Sequence, residues 1–80
     1  MSDTTNTIDE KTIEKLHNWF TYHAPVGDQP ERYTNIRDAA HEFAWKICEL
    51  CPDSADRTAA LRHIRDAVFS ANASIACGGK

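Results

Sequence analysis

The sequence predicts an all-α fold: a short N-terminal helix and two long antiparallel helices forming a helical hairpin, assembled as a compact oligomer. Three observations predict it. Two apolar seams step by three and four residues: Tyr33, Ile36, Ala40, Phe43, Ile47 and Leu50, then Leu61, Ile64, Val68, Ala71 and Ile75. Helix stop and start signals, Cys51-Pro52 followed by Asp53 and Ser54, separate them by about four residues, which forces an antiparallel pair. No segment alternates with the period of a strand.

The elements follow in chain order. Residues 1–7 are polar, Thr-rich and without periodicity, and are expected to fray; 8–80 form one helical-hairpin domain. Thr7-Ile8-Asp9-Glu10 fits a capping box, in which Thr7 accepts from a first-turn amide and Glu10 answers. The helix that follows carries Ile13, Leu16 and Phe20 on one stripe with Trp19 beside it, and ends near Tyr22 because Pro25 disfavours helix at Ala24. Val26-Gly27-Asp28-Gln29 reads as a turn. Asp28, Pro30 and Glu31 then supply a capping acid, a first-turn proline and an acid at the positive helix end. Gly78-Gly79 is a helix C-terminal signal.

Composition narrows the function. The chain has 80 residues, 41% of them apolar and 26% charged, an ordinary globular balance with no membrane-length apolar run. A net charge of −3 has the wrong sign for a DNA-binding protein, although a local basic patch can still bind a small anion. MSDTTNT has neither the basic start nor the apolar stretch of a signal peptide, so a cytosolic setting with free thiols is expected. A core this small offsets little more than its own ordering entropy. Trp45, Phe69 and several alanines lie outside the two seams, and one short helix cannot cover both flanks. Self-association is therefore expected.

Few constellations suggest chemistry. Cys48-x-x-Cys51 would need two further ligands for zinc, with His63 and Cys77 as candidates, but it lies at a helix end without a knuckle; packing thiols are the better account. His17, His23, His41 and His63 form no i, i+4 pair, and nothing assembles a nucleophile, base and oxyanion site, so no enzyme, metal or cofactor is expected. Glu42 and Lys46 read as a surface pair. Tyr22-His23-Ala24-Pro25 sets an aromatic and a histidine against a rigid proline at a helix end. It reads either as a packing staple or as a stacking platform for a nucleobase, with Arg32 and Arg37 following for phosphate. An arginine such as Arg37 more commonly pairs with Asp38 or Glu42.

FTYHAP at 20–25, Gln29, RYTNIRDAAHEFA at 32–44, Cys51-Pro52 and ALRHIRDAVFSANASIA at 60–76 together resemble a family of small phage proteins. These are the type-two anti-CBASS cyclic-nucleotide sponges, whose helical hairpin is shared with a phage anti-Thoeris sponge. The resemblance runs from Phe20 to Ala76. It implies a non-enzymatic counter-defence in the cytoplasm of the infected bacterium. The protein would bind cyclic dinucleotide signals such as 3′,3′-cyclic GMP-AMP, and cyclic trinucleotides at separate pockets, without cleaving them. It also implies a homohexamer with dinucleotide pockets between protomers. Tyr22 matches the tyrosine that stacks on bases, His23 adjoins it, Arg37 falls where a basic residue contacts phosphate, and Asn72 matches the asparagine of ANAxIA. Cys77 and Gly78 stand where the family pattern continues to an arginine, which puts the trinucleotide site in question. A sponge for cyclic ADP-ribose-type Thoeris signals and a helical protein–protein module using Trp45 and Phe69 are the alternatives.

Overall fold

The computed structural model describes residues 7–80, so the expected frayed start at 1–7 lies outside the described residues except for Thr7. Three helices follow: α1 (Glu10–Trp19), α2 (Gln29–Leu50) and α3 (Ala55–Ala76). There are no strands among the described residues, and α2 packs on α3 as an antiparallel hairpin.

The helix ends show which local signals prevail. Asp9, not Thr7, caps α1, its Oδ1 accepting from the Thr12 amide at 2.9 Å. A carboxylate is the stronger acceptor near the positive helix end, so it displaces the expected Thr7 cap. Thr12 holds the Asp9 carboxyl below its ordinary range, through its side-chain hydroxyl first and this backbone amide second. α1 stops at Trp19, with Phe20 as its C-cap, about one turn before the expected end near Tyr22. Asp28 precedes α2 but makes no side-chain cap; its carboxylate lies 3.7 Å from Arg32, while Pro30 occupies the first turn as expected. Ser54 caps α3 by accepting from the Arg57 amide at 3.1 Å, and Asp53 pairs with Arg57 at 3.2 Å. Gly78 and Gly79 close α3 with φ of 66° and 76°, which a side chain would strain; the Gly79 amide donates to Ser74.

The hairpin seam departs from the heptad reading in an instructive way. The half-buried line of α2 runs Tyr33, Ile36, Ala40, Ala44, Ile47 and Cys51, with Ala44 where Phe43 was expected and Cys51 where Leu50 was. Phe43 is 57% exposed and Leu50 81%. On α3 the line runs Arg57, Leu61, Ile64, Val68, Asn72 and Ile75, with Ala71 half-buried beside Asn72. Both lines step by three, four and four. An α-helix drifts about 20° per heptad, so a straight helix keeps its contact line by advancing eleven residues every three turns. Phe43 and Leu50 are carried out of the interface by that drift, and Asn72 is carried in.

The chain does not enclose a core of its own. No described residue is fully buried. The Cα atoms span 54 × 42 × 15 Å with a radius of gyration of 18.0 Å, against about 12 Å for a compact domain of this length. One face of the hairpin is an open apolar groove lined by Ile36, Ala39, Phe43, Ile47, Ala60 and Ala67 among others. No helix among the described residues is long and apolar enough to cross a membrane.

Candidate functional site

The loop between α1 and α2, residues 20–28, is fastened at both ends to the C-terminal end of α3. At its start, Asn18 Nδ2 donates to the Cys77 carbonyl at 3.2 Å, and the Asn18 carbonyl accepts from His23 Nε2 at 2.7 Å. A carbonyl can only accept, so His23 carries a proton on Nε2. The Cys77 thiol approaches the same carbonyl at 3.9 Å, and Trp19 Nε1 donates to the Lys80 carbonyl at 3.2 Å. At the loop's far end, Gln29 Oε1 accepts from the Val26 amide at 3.0 Å while its Nε2 donates to the Ile75 carbonyl at 3.3 Å. Gly27, at φ 56°, makes the turn between these anchors.

Tyr22 sits between the two fastenings and is 84% exposed. It is no packing staple within this chain. Its ring projects from a backbone held by His23 on one side and constrained by Pro25 beyond, the arrangement needed to present an aromatic face with little ordering cost. His23 is half-buried and engaged in holding the loop, so it positions Tyr22's segment.

Arg37 lies eight residues beyond Gln29, about 12 Å along the helix axis. Its guanidinium donates to Thr34 Oγ1 at 3.3 Å and forms no ion pair with Asp38 or Glu42. The expected Glu42–Lys46 pair is also absent; the ion pairs among the described residues are Arg32–Asp28 and Arg57–Asp53. Exposed pairs of this kind gain little in water, so their loss carries small cost. Arg37 lines a groove between α2 and α3 with His41, Arg65 and Phe69; Tyr22, His23 and Asn72 are not part of that lining. Asn72 lies on the inner line of α3, and its Oδ1 is buried without a hydrogen-bond partner. A single protomer thus keeps Tyr22 and His23 together but does not gather them with Arg37 into one cleft.

Cys48 is exposed on α2, Cys51 caps that helix, and Cys77 lies at the end of α3. Among the described residues no group of three or more His, Cys, Asp or Glu side chains could hold a metal ion.

Sequence reasoning missed Asn18 entirely and named Gln29 only as a turn residue and within the resemblance. Their bonds join residues 59 and 46 positions apart, and periodicity carries no signal for such partners. It also missed Arg65, whose guanidinium stands 5.6 Å over the Phe69 ring.

The described residues form three helices, the two long ones an open hairpin, with a tethered loop presenting one exposed tyrosine, which places the chain among small helical-hairpin proteins. Residues 12–76 match the family model described as Acb2/Tad1, hairpin domain, and the chain belongs to that family. The match includes most of α1 as well as the segment from Phe20 to Ala76. No curated protein and no solved structure matches the chain.

Proposed function

We propose that this protein is a phage counter-defence sponge. It binds cyclic dinucleotide messengers of bacterial CBASS immunity, such as 3′,3′-cyclic GMP-AMP, and holds them intact in the cytoplasm of the infected cell. The observation that carries this reading is membership of the Acb2/Tad1 hairpin family across residues 12–76. Family membership supports sequestration in general; the choice of messenger rests on Tyr22 and Arg37. An exposed ring on a tethered loop supports stacking on a base, worth about 1–3 kcal/mol. A guanidinium without a carboxylate partner supports a charge-assisted bond to phosphate, worth about 1.5–3 kcal/mol.

The binding unit is an assembly, for which we propose a homohexamer. An open chain with a radius of gyration of 18.0 Å and no buried residue among the described residues favours completion of its core by other copies. A cleft between protomers can enclose a cyclic dinucleotide, which a flat hairpin face cannot. His23 supports the loop in that cleft, and Asn72 is the fourth residue proposed near ligand. A cyclic trinucleotide pocket is the less supported part, since Cys77 and Gly78 bring no cation to the C-terminal end of α3. The family's joint Acb2/Tad1 description favours one second reading, a sponge for cyclic ADP-ribose-type Thoeris signals on the same hairpin.

Isothermal titration with 3′,3′-cyclic GMP-AMP, cyclic tri-adenylate and cyclic ADP-ribose, followed by chromatography of the released ligand, tests the proposal. The expected result is tight dinucleotide binding with the nucleotide recovered unmodified. A degraded product would make the protein an enzyme. Binding of cyclic ADP-ribose alone would transfer the assignment to Thoeris signals. Binding of none would leave a helical protein-interaction module.

A further inference from the structure

We infer that Arg65 is a second phosphate-binding residue, sharing with Arg37 the groove between α2 and α3, and that this groove seats the phosphodiester part of the ligand. The inference rests on the sponge reading above and deepens it.

Arg37 and Arg65 come from different helices yet line one groove, with His41 and Phe69 beside them and no carboxylate in the lining. Neither guanidinium takes part in an ion pair among the described residues. In a chain of net charge −3, with twelve acids to nine bases, two unneutralised guanidiniums in one acid-free groove are not what charge balance alone would produce. Like charges on one low-dielectric wall repel, and an anion between them removes that repulsion.

Phe69 explains how Arg65 is held. The guanidinium stacks 5.6 Å from the ring centroid, a contact that orients the fork without consuming its charge or its N–H donors. The ring is itself 58% exposed and makes a poor core residue, so its placement under Arg65 is the use the fold finds for it. The rest of the groove lining, Ala40, Ala44, Leu61, Ile64 and Val68, is apolar. An anion with flat or apolar parts suits that lining better than a bare inorganic ion. A cyclic dinucleotide, with two phosphodiesters held apart by a rigid ring, offers one to each guanidinium.

Titration of 3′,3′-cyclic GMP-AMP into wild type, Arg65→Ala, Arg65→Lys and Arg62→Ala at two salt concentrations tests this. Arg62 is a nearby cation on α3 outside the groove lining and controls for general charge loss. Arg65→Ala is expected to bind about tenfold or more weakly with a shallower salt dependence, and Arg62→Ala within about twofold of wild type. Arg65→Lys keeps the charge but loses the bidentate fork, and should fall between wild type and the alanine variant. Wild-type affinity in Arg65→Ala, or an equal loss in Arg62→Ala, overturns the assignment while leaving the sponge reading intact. Failure of wild type to bind any cyclic nucleotide overturns both. Helix content and melting midpoint verify each fold; should Arg65→Ala lose helix, wild-type affinity in a folded Arg65→Lys overturns the assignment instead.

Discussion

The hairpin and the N-terminal arm are held by different forces. α2 and α3 meet along two facing lines of half-buried side chains, among them Ile36, Ile47, Leu61, Ile64 and Val68. In α1 every residue but Asn18 is exposed, including Ile13 at 52%, and the arm is attached through polar bonds clustered at one end. Apolar contact is non-directional and scales with area, so it builds the scaffold. Hydrogen bonds are directional and individually modest, so they aim the loop that carries Tyr22 without adding much stability. The side chain proposed to stack on the ligand sits on the part of the molecule whose position is set by geometry and not by bulk burial.

The sharpest way to break this contrast is Ile64→Asp. A carboxylate in the hairpin seam has no partner and is expected to cost about 3 kcal/mol, enough to abolish cooperative unfolding of so small a domain. Circular dichroism should report that loss, and a retained native melt would show that the seam does not support the fold. Tyr22→Ala is the converse test. With the ring 84% exposed, the melting midpoint should stay put while dinucleotide affinity falls by about 5- to 150-fold, the equivalent of one stacked base. A lowered midpoint with normal binding would return Tyr22 to a packing role. Arg37→Ala should also weaken binding without unfolding, and raised salt should weaken wild type in the same way; unchanged affinity removes Arg37 from the site.

Two smaller effects sharpen the comparison. Ser54→Ala removes the α3 cap and should cost about 1 kcal/mol, a midpoint shift of about 4–8 °C, with no change in ligand affinity. In the arm, the Asp9 carboxyl is held below its ordinary range by the Thr12 side chain and, after it, the Thr12 amide. A group with a lowered folded value stabilises fully above its unfolded value and loses that contribution as pH falls through the folded one. Protection of the first amides of α1 should therefore drop only in acid, below the ordinary Asp range, and Asp9→Asn should flatten the dependence. Identical acid profiles in the two proteins would show that Asp9 does not hold the arm.

How much of this was legible in the sequence depends on the range of the interaction. Proline and glycine signals act within a few residues, so Pro30, Pro52 and Gly78-Gly79 mark their helix ends where the structure has them. Competing caps are less legible: Thr7 fits the capping box with Glu10, but Asp9 is also a capping residue type, and its carboxylate, the stronger acceptor, takes the helix start. Part of the proposed site was legible locally. Tyr22 could be named because a rigid aromatic next to His-Ala-Pro is a local pattern, with Arg37 following it on the next helix, and the family resemblance added Asn72. Arg65 looked like any surface arginine until α3 was laid against α2.

By itself the sequence determined the helices, their antiparallel order and the turn between the arm and the hairpin, because apolar period and backbone propensity are properties of neighbours in the chain. Only the tertiary structure decided which residues of each period face the partner. A heptad and an eleven-residue line differ by a drift of about 20° per two turns, too small to read over six positions and large enough to exchange Phe43 for Ala44. It alone also decided that Asn18 and Gln29 tie the loop to the far end of the chain, since such bonds depend on where two distant backbones come to lie.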